Sequence, residues 1–211
     1  MNGGVSLLVP IKPLHLAKSR LRDDRPAARH ADLVSAVAHD TVDAARRAAG
    51  VRAVVVVTSD PRLAESFAAD GVEVVPDDPA AGLNPALEHG ERVLRSRGEA
   101  RIGALQADLP ALRPAELAAA LEQAGPDRAF SADHQGTGTT LLLAAAGGAL
   151  APRFGPGSAA AHASSGARAL DGEWASLRCD VDTAADLRRA TGIGLGERTA
   201  AWLAGASGNP R

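Results

Sequence analysis

Residues 101–110 read Arg-Ile-Gly-Ala-Leu-Gln-Ala-Asp-Leu-Pro, an apolar run that is closed by the carboxylate of Asp108. A second apolar run, at residues 176–181, is closed in the same way by Asp180 and Asp182. Each run predicts a buried strand. Carboxylates that follow strands in an α/β chain lie where such sheets bind ligands, in the crevice beyond the carboxyl edge.

Oxygen ligands from two strand ends suit Mg²⁺, which takes one or two protein carboxylates and fills its other positions with water and phosphate. We therefore predict that Asp108 and Asp180 bind Mg²⁺, with Asp182 either a ligand or a residue that orients the site. A single Asp in such a place is more simply a turn former or a helix N-cap. Two matched acidic ends favour the metal site and indicate phosphoryl or nucleotidyl chemistry.

Strand-like and helix-like segments alternate through the first half of the chain. The predicted strands are residues 5–11, 51–58, 72–75 and 101–107, and the predicted helices are residues 31–49, 63–69 and one that begins near Asn84. This alternation is typical of a three-layer α/β fold, with a mostly parallel central sheet and helices on both faces.

The second half is less regular. It predicts strands at residues 128–132, 139–145 and 176–181, and helices at 158–170, 183–190 and 197–203. No linker or repeat divides the chain, so we expect one domain over residues 1–211, with an irregular insert at about 133–172 that binds the acceptor substrate.

The composition limits the class of protein. Hydrophobic residues make up 45% of the 211 residues but aromatic residues only 2%, so the core has to be built from Ala, Val and Leu. A net charge of −2 argues against nucleic-acid binding, which needs clustered cations. There is no apolar stretch of roughly 18 residues for a membrane span and no signal-peptide pattern. We expect a cytoplasmic protein.

A basic segment follows the first predicted strand. It carries Lys12, Lys18 and Arg20, whose charges can neutralise a triphosphate, although a solvated basic helix start is an equally simple interpretation. No P-loop or dinucleotide-binding glycine pattern is present. The histidines lack metal-binding spacing, and no Gly-x-Ser-x-Gly nucleophile motif occurs.

Three glycine-containing segments are candidate ligand loops. Gly82 precedes a predicted helix, and the amide of Asn84 offers a donor and an acceptor to a purine edge, although Asn is also a common N-cap. Residues 136–140 read Gly-Thr-Gly-Thr-Thr, and residues 153–158 read Arg-Phe-Gly-Pro-Gly-Ser ahead of a predicted helix. Hydroxyls and backbone amides of this kind form anion sites, and each segment alone is also compatible with an ordinary loop.

Taken together in their order along the chain, these segments resemble the phosphoenolpyruvate / 2-phospho-L-lactate guanylyltransferase family. The resemblance is carried by Val9–Pro13, Ala17–Leu21, Gly82–Asn84, Asp108–Leu112, Gly136–Thr139, Phe154–Ser158 and Asp180–Thr183. It implies a nucleotidyltransferase fold of the GT-A kind and a step in the biosynthesis of coenzyme F-420.

The resemblance also implies site residues. The phosphorylated three-carbon acid would be held by Thr139, Gly155 and Ser158, with Thr140 an adjacent candidate for the first position. Gly82 and Asn84 would contact the nucleotide. The expected reaction transfers GMP from GTP to phosphoenolpyruvate, giving enolpyruvyl-diphospho-guanosine and pyrophosphate.

The chemistry of this reaction agrees with the residue types. A phosphate monoester is mostly dianionic at pH 7, because its second pKa is about 6. It needs no general base to attack the α-phosphorus of GTP, so catalysis depends on Mg²⁺, on the cations Lys12, Lys18 and Arg20, and on alignment.

Several alternatives remain open at this level. The acceptor could be 2-phospho-L-lactate or 3-phosphoglycerate, and the strictness of GTP preference and the oligomeric state are not determined. Another nucleotidyltransferase, such as a molybdopterin guanylyltransferase, is disfavoured because its Gly-rich first loop is absent. A non-catalytic nucleotide-binding module has less need of both acidic ends and a basic loop.

Overall fold

The computed structural model describes residues 4–14, 27–78 and 80–207, so the predicted site residues Lys18 and Arg20 lie outside the described residues. The strands are β1 Val5–Pro10, β2 Val51–Thr58, β3 Glu73–Pro76, β4 Ile102–Leu105, β5 Ala129–Ala132, β6 Thr139–Leu143 and β7 Arg168–Ala169. The helices are α1 Ala27–Arg46, α2 Pro61–Ala69, α3 Leu83–Ser96, α4 Pro114–Ala124, α5 Ser158–Ser164, α6 Ala184–Ile193 and α7 Glu197–Ser207.

These strands form one seven-stranded sheet in the order β3-β2-β1-β4-β6-β5-β7. The four strands β1 to β4 run parallel, β6 runs antiparallel to both β4 and β5, and β7 pairs parallel with β5. The predicted α/β fold with a mostly parallel sheet is confirmed. The predicted insert at 133–172 contributes β6 and β7 to this same sheet.

The parallel strands read as continuous apolar runs because both of their faces are covered. Along β1, Leu7 and Val9 pack into a core with α1 and α4, while Leu8 packs on the other face with α3. All six residues of β1 are buried. The core therefore lies in two layers, one on each side of the sheet.

Two helices differ from the sequence predictions. No helix was predicted at Pro114–Ala124, where α4 begins with a proline in its first turn. This helix is rich in Ala, so its buried and exposed faces differ little in residue type. The helix predicted at 158–170 ends at Ser164, because Gly166 adopts a left-handed φ of 88° and the chain then enters β7.

The predicted strand at residues 176–181 is wrong. Its apolar side chains are buried, Leu177 and Cys179 completely, but its backbone pairs with loops and side chains rather than with a strand. Glu116 accepts the backbone N–H groups of Ser176 and Leu177. The prediction of a strand rested on the apolar side chains alone. In the structure, the carboxylate of Glu116 in α4 accepts backbone N–H groups that a neighbouring strand would otherwise have bonded.

No helix among the described residues is long and apolar enough to cross a membrane.

Gly90 lies where α3 packs closely against the sheet. A Cβ added at Gly90 would lie 2.8 Å from Leu8 Cδ2 and 3.1 Å from Val57 Cγ2. We expect Gly90→Ala to lower the free energy of unfolding by about 1–3 kcal/mol through overpacking. Urea denaturation followed by circular dichroism measures this.

The matched control is Gly192→Ala in α6, where an added Cβ meets nothing within 4 Å. There the gain in helix propensity should raise stability by about 0.5–1 kcal/mol. Equal effects of the two substitutions would contradict the packing of α3 described here.

Candidate active site

A cavity of about 740 Å³ opens at the carboxyl edge of β1 and β4. Because β6 is antiparallel to β4, its first residue, Thr139, lies at the same edge. The predicted site residues that line the cavity are Lys12, Asp108, Thr139, Gly155, Ser158, Asp180 and Asp182. Residues far apart in sequence are therefore brought to one place, as a ligand site at this edge of an α/β sheet requires.

The two acidic segments are joined directly through their backbones. The N–H of Val181 donates to the carbonyl of Asp108 at 3.0 Å, so the neighbouring Asp180 is held next to Asp108. β4 ends at Leu105, and Asp108 follows after a short extension rather than at the strand end itself.

Thr41 of α1 fixes that extension from the side. Its buried hydroxyl accepts the N–H of Leu109 at 3.0 Å and shares its one hydrogen between the carbonyls of Val37, at 2.9 Å, and Ala107, at 3.1 Å. The backbone on both sides of Asp108 is thereby anchored to a helix that the sequence analysis had assigned only to packing.

The site carries an excess of negative charge. Burial, together with the nearby carboxylates of Asp108, Asp182 and Asp133, raises the pKa of Asp180 to about 7. Its Oδ1 atom is buried and makes no hydrogen bond, and Nδ1 of His134 lies 3.8 Å from it. A bound cation would relieve this repulsion and give the buried oxygen a partner.

The carboxylates of Asp108 and Asp180 are ligands of the kind that Mg²⁺ takes. Among the residues that the structure describes, no three His, Cys, Asp or Glu side chains are grouped as metal ligands. Asp182 is exposed, and its backbone N–H donates to Asp186 at 3.2 Å. One or two carboxylates suffice for Mg²⁺, and both predicted roles of Asp182, ligand and orienting residue, stay predictions.

Of the predicted triphosphate-binding cations, only Lys12 falls within the described residues. It follows β1, is exposed and lines the cavity. Lys12 therefore lines the same cavity as a group of carboxylates, and the roles of Lys18 and Arg20 stay predictions.

The Gly-Thr-Gly-Thr segment wraps around a carboxylate that the sequence analysis missed. Asp133 is buried and accepts the backbone N–H groups of Thr137 and Gly138 at 2.9 and 2.8 Å. A Cβ at Gly138 would lie 2.5 Å from Asp133 Oδ2, so glycine is required at this close approach. Asp133 shapes the turn that presents Thr139, a role visible only once the turn is folded.

The structure distinguishes Thr139 from the adjacent candidate Thr140. Thr139 lines the cavity, and its Oγ1 lies 2.9 Å from Nδ1 of His162. Thr140 does not line the cavity, and its hydroxyl donates to the carbonyl of Ser131 at 3.4 Å. The alternation of side chains along β6 places the two hydroxyls on opposite faces.

Gly155 and Ser158 line the cavity together with Thr139, but two backbone N–H groups of this segment already have partners. The N–H of Ser158 donates to the carbonyl of Gly155, and the N–H of Ala159 donates to that of Thr137, both at 3.1 Å. These two amides are already paired, so the anion-binding capacity of this segment rests more on the Ser158 hydroxyl than the sequence suggested. Gly155 has a φ of 141°, which favours glycine.

The side chain of Asn84, a predicted nucleotide contact, is hydrogen-bonded to another loop of the protein. The Asn84 side chain donates to the carbonyl of Phe154 at 3.0 Å and accepts its N–H at 2.8 Å. The N-cap of α3 is Gly82, so the alternative interpretation of Asn84 as the N-cap is wrong. Asn84 binds the loop that carries Gly155, and a contact to a purine stays a prediction.

A Ser-His-Asp series lies elsewhere, between α1 and α2. Ser66 Oγ is 2.9 Å from His39 Nε2, and His39 Nδ1 is 3.0 Å from Asp70 Oδ2. Ser66 lies within α2, where the neighbouring backbone N–H groups are used in the hydrogen bonds of the helix. None of the three residues lines the cavity. The series links the two helices.

Residues 5–204 match the family described as guanylyl transferase CofC like. A phosphoenolpyruvate guanylyltransferase from Salinispora arenicola is 54% identical over 198 residues, which cover 92% of this chain and 91% of the relative. A phosphoenolpyruvate guanylyltransferase from Streptomyces scabiei is 52% identical over 206 residues, which cover 94% and 95%.

Solved structures with the same fold are more distant in sequence. A candidate nucleotide-diphospho-sugar transferase from Desulfovibrio desulfuricans superposes with a TM-score of 0.73 at 16% identity, covering 96% of this chain and 95% of that one. A nucleotidyl transferase from Methanothermobacter gives a TM-score of 0.61 at 21% identity, covering 90% and 97%. These likenesses support the nucleotidyltransferase type of fold.

The buried imidazole beside Thr139 leads to a pH prediction for stability. Burial, together with Arg128 and Arg153, lowers the pKa of His162 from 6.5 to about 4. The ring is therefore neutral in the fold but takes up a proton in the unfolded chain below pH 6.5. Stability from this group is complete above pH 6.5 and is lost as the pH falls towards 4, by up to about 1.4 kcal/mol per unit.

Urea denaturation at pH 7.5 and pH 5.0 measures this loss, and His162→Asn is the comparison because Asn does not titrate. We expect the wild type to lose about 2 kcal/mol more than the variant over this interval. Identical losses would contradict the buried neutral state of His162.

Proposed function

Because the chain belongs to the guanylyl transferase CofC-like family, we propose that it transfers GMP from GTP to the phosphate of phosphoenolpyruvate. The products are enolpyruvyl-diphospho-guanosine and pyrophosphate, in a step of coenzyme F-420 biosynthesis. The observation that carries this proposal is the junction of Asp108 and Asp180 in one cavity, with Thr139 and Ser158 in the same wall.

The reaction needs alignment and charge neutralisation more than proton transfer. A phosphate oxygen of the acceptor forms a bond to the α-phosphorus of GTP, and the bond from that phosphorus to the bridging oxygen breaks to release pyrophosphate. The attacking phosphate is already mostly dianionic at neutral pH, since its second pKa is about 6. The dominance of carboxylates over histidines in the cavity lining is consistent with this chemistry.

We assign Mg²⁺ to the carboxylates of Asp108 and Asp180. When bound, Mg²⁺ would neutralise the phosphate oxygens that gather charge during transfer. Asp180 is suited to this role because its buried Oδ1 lacks a hydrogen bond and its neighbours are acidic. Asp182 would orient the pair from its exposed position, held by Asp186.

Cations would hold the triphosphate against this acidic wall. Lys12 supplies one from the end of β1, and Lys18 and Arg20 would supply two more from the segment that follows. Mutual repulsion between two polyanionic substrates is the main barrier to their approach, so each cation contributes to binding and to the transition state.

The acceptor would occupy the end of the cavity formed by Thr139, Gly155 and Ser158. Ser158 is 3% exposed and Thr139 is 5% exposed, so both side chains are almost fully buried in the wall of the cavity. The choice of phosphoenolpyruvate over 2-phospho-L-lactate or 3-phosphoglycerate is supported by the names of relatives that share about half of their residues with this chain.

Substrate specificity is tested by incubating the purified protein with Mg²⁺, GTP and each of the three acids in turn. We expect pyrophosphate release and a product of the mass of enolpyruvyl-diphospho-guanosine to be greatest with phosphoenolpyruvate. GTP binding without pyrophosphate release from any acid would instead indicate a non-catalytic nucleotide-binding module. Release with ATP but not with GTP would contradict the guanylyl assignment.

The metal assignment is tested by Asp108→Asn, which keeps the size of the side chain but removes its charge. Loss of residues that merely support a metal ligand typically costs 10–100-fold, so we expect a loss of kcat/KM of more than about 100-fold here. The control is Asp127→Asn, a carboxylate that is 63% exposed beside Arg168. Near-normal turnover of Asp108→Asn with Mg²⁺ would overturn the assignment.

A further inference from the structure

His162 lies immediately behind the acceptor end of the cavity without lining it. It belongs to α5, is completely buried and packs against Phe130 and Phe154, with ring centroids 6.0 and 5.0 Å away. Both of its ring nitrogens nevertheless have polar partners. The hydrogen bond between one ring nitrogen and the backbone can therefore determine whether the other nitrogen donates to a residue of the site or accepts from it.

The first partner determines where the ring carries its proton. The backbone N–H of Arg153 lies 2.9 Å from Nε2 of His162. A backbone N–H can only donate, so Nε2 has to present its lone pair. If Nε2 were protonated, two donors would face each other in a buried place.

The second partner then receives the proton. Burial and the charges of Arg128 and Arg153 lower the pKa of His162 to about 4, so the ring is neutral at pH 7 and carries a single proton. That proton is on Nδ1, which faces Thr139 Oγ1 at 2.9 Å. Thr139 therefore accepts a hydrogen bond from His162.

A hydroxyl has one hydrogen to donate and two lone pairs. Since His162 occupies a lone pair of Thr139, the hydroxyl hydrogen of Thr139 is left to donate. The hydrogen bonds of the described residues give Thr139 Oγ1 no partner other than His162, and Thr139 lines the cavity. Thr140 differs, because its hydrogen is already donated to the carbonyl of Ser131.

We propose that His162 is a positioning residue that makes Thr139 an obligate hydrogen-bond donor to an oxygen anion of the acceptor substrate. This rests on the proposed function for the identity of that anion, a carboxylate or phosphate of the three-carbon acid. The same imidazole also anchors the backbone at Arg153, two residues before Gly155. One buried ring thus sets both the polarity of Thr139 and the position of the glycine loop.

The tautomer is tested without any catalytic assay. Long-range proton–nitrogen spectra of protein labelled with ¹⁵N-histidine distinguish a proton on Nδ1 from one on Nε2, and the His162→Asn variant identifies the signal. We expect a neutral ring protonated on Nδ1 at pH 7.5. A proton on Nε2, or a charged ring, overturns the proposal whether or not the protein is a guanylyltransferase.

Two variants then test the roles of the two ring nitrogens, Nδ1 and Nε2, separately. The side-chain amide nitrogen of Asn can take the place of Nδ1, so His162→Asn keeps a donor to Thr139. The terminal oxygen of Gln can take the place of Nε2, so His162→Gln keeps the acceptor for Arg153 but loses the donor. Thermal denaturation at pH 7.5 shows whether each variant is folded before it is assayed.

We expect His162→Gln to raise the KM for phosphoenolpyruvate about tenfold or more, as for loss of a hydrogen bond that orients a donor to a charged group. The KM for GTP should change less than about twofold, and His162→Asn should recover most of the loss. In a Thr139→Val background, His162→Gln should have little further effect, because the hydroxyl it orients is gone. Equal effects of Asn and Gln, or additive effects with Thr139→Val, overturn the proposal.

Failure of the proposed function gives a different pattern. Wild-type protein that releases no pyrophosphate with any of the three acids contradicts the guanylyltransferase assignment, while the spectra still decide the direction of the hydrogen bond to Thr139. Normal wild-type turnover with the Nε2 tautomer contradicts the role of His162 alone.

Discussion

The backbone hydrogen bond from Val181 to Asp108, 3.0 Å long, is the constraint on which the candidate active site depends. It holds two acidic segments together although their carboxylates repel each other, and this repulsion, together with burial, raises the pKa of Asp180 to about 7. The apolar core on both faces of the sheet stabilises the backbone that imposes this arrangement. The site is thus built to accept positive charge.

Around this junction, other residues hold the remaining parts of the site through hydrogen bonds within the protein. Thr41 fixes the backbone on both sides of Asp108, Asp133 shapes the turn before Thr139, and Asn84 binds the loop that precedes Gly155. His162 connects that loop with Thr139. The acceptor end is therefore a network of hydrogen bonds between elements, which favours a fixed geometry over an adaptable one.

The first half of the fold was predictable because parallel strands buried on both faces leave continuous apolar runs, as at residues 51–58. Residues 176–181 show the limit of that pattern, since their apolar side chains are buried but Glu116 and neighbouring loops take their backbone donors. Asp108 and Thr139 could be proposed from local sequence and family resemblance. Asp133 and His162 could not, because their roles arise from contacts made only after folding.

The central claim is that Asp108 and Asp180 together bind one divalent cation beside the substrates. Crystals grown with GTP and Mn²⁺, measured at the manganese absorption edge, test this directly. We expect one anomalous peak within bonding distance of a carboxylate oxygen of each residue. A peak that contacts only phosphate oxygens, with both carboxylates turned away from it, would contradict the account.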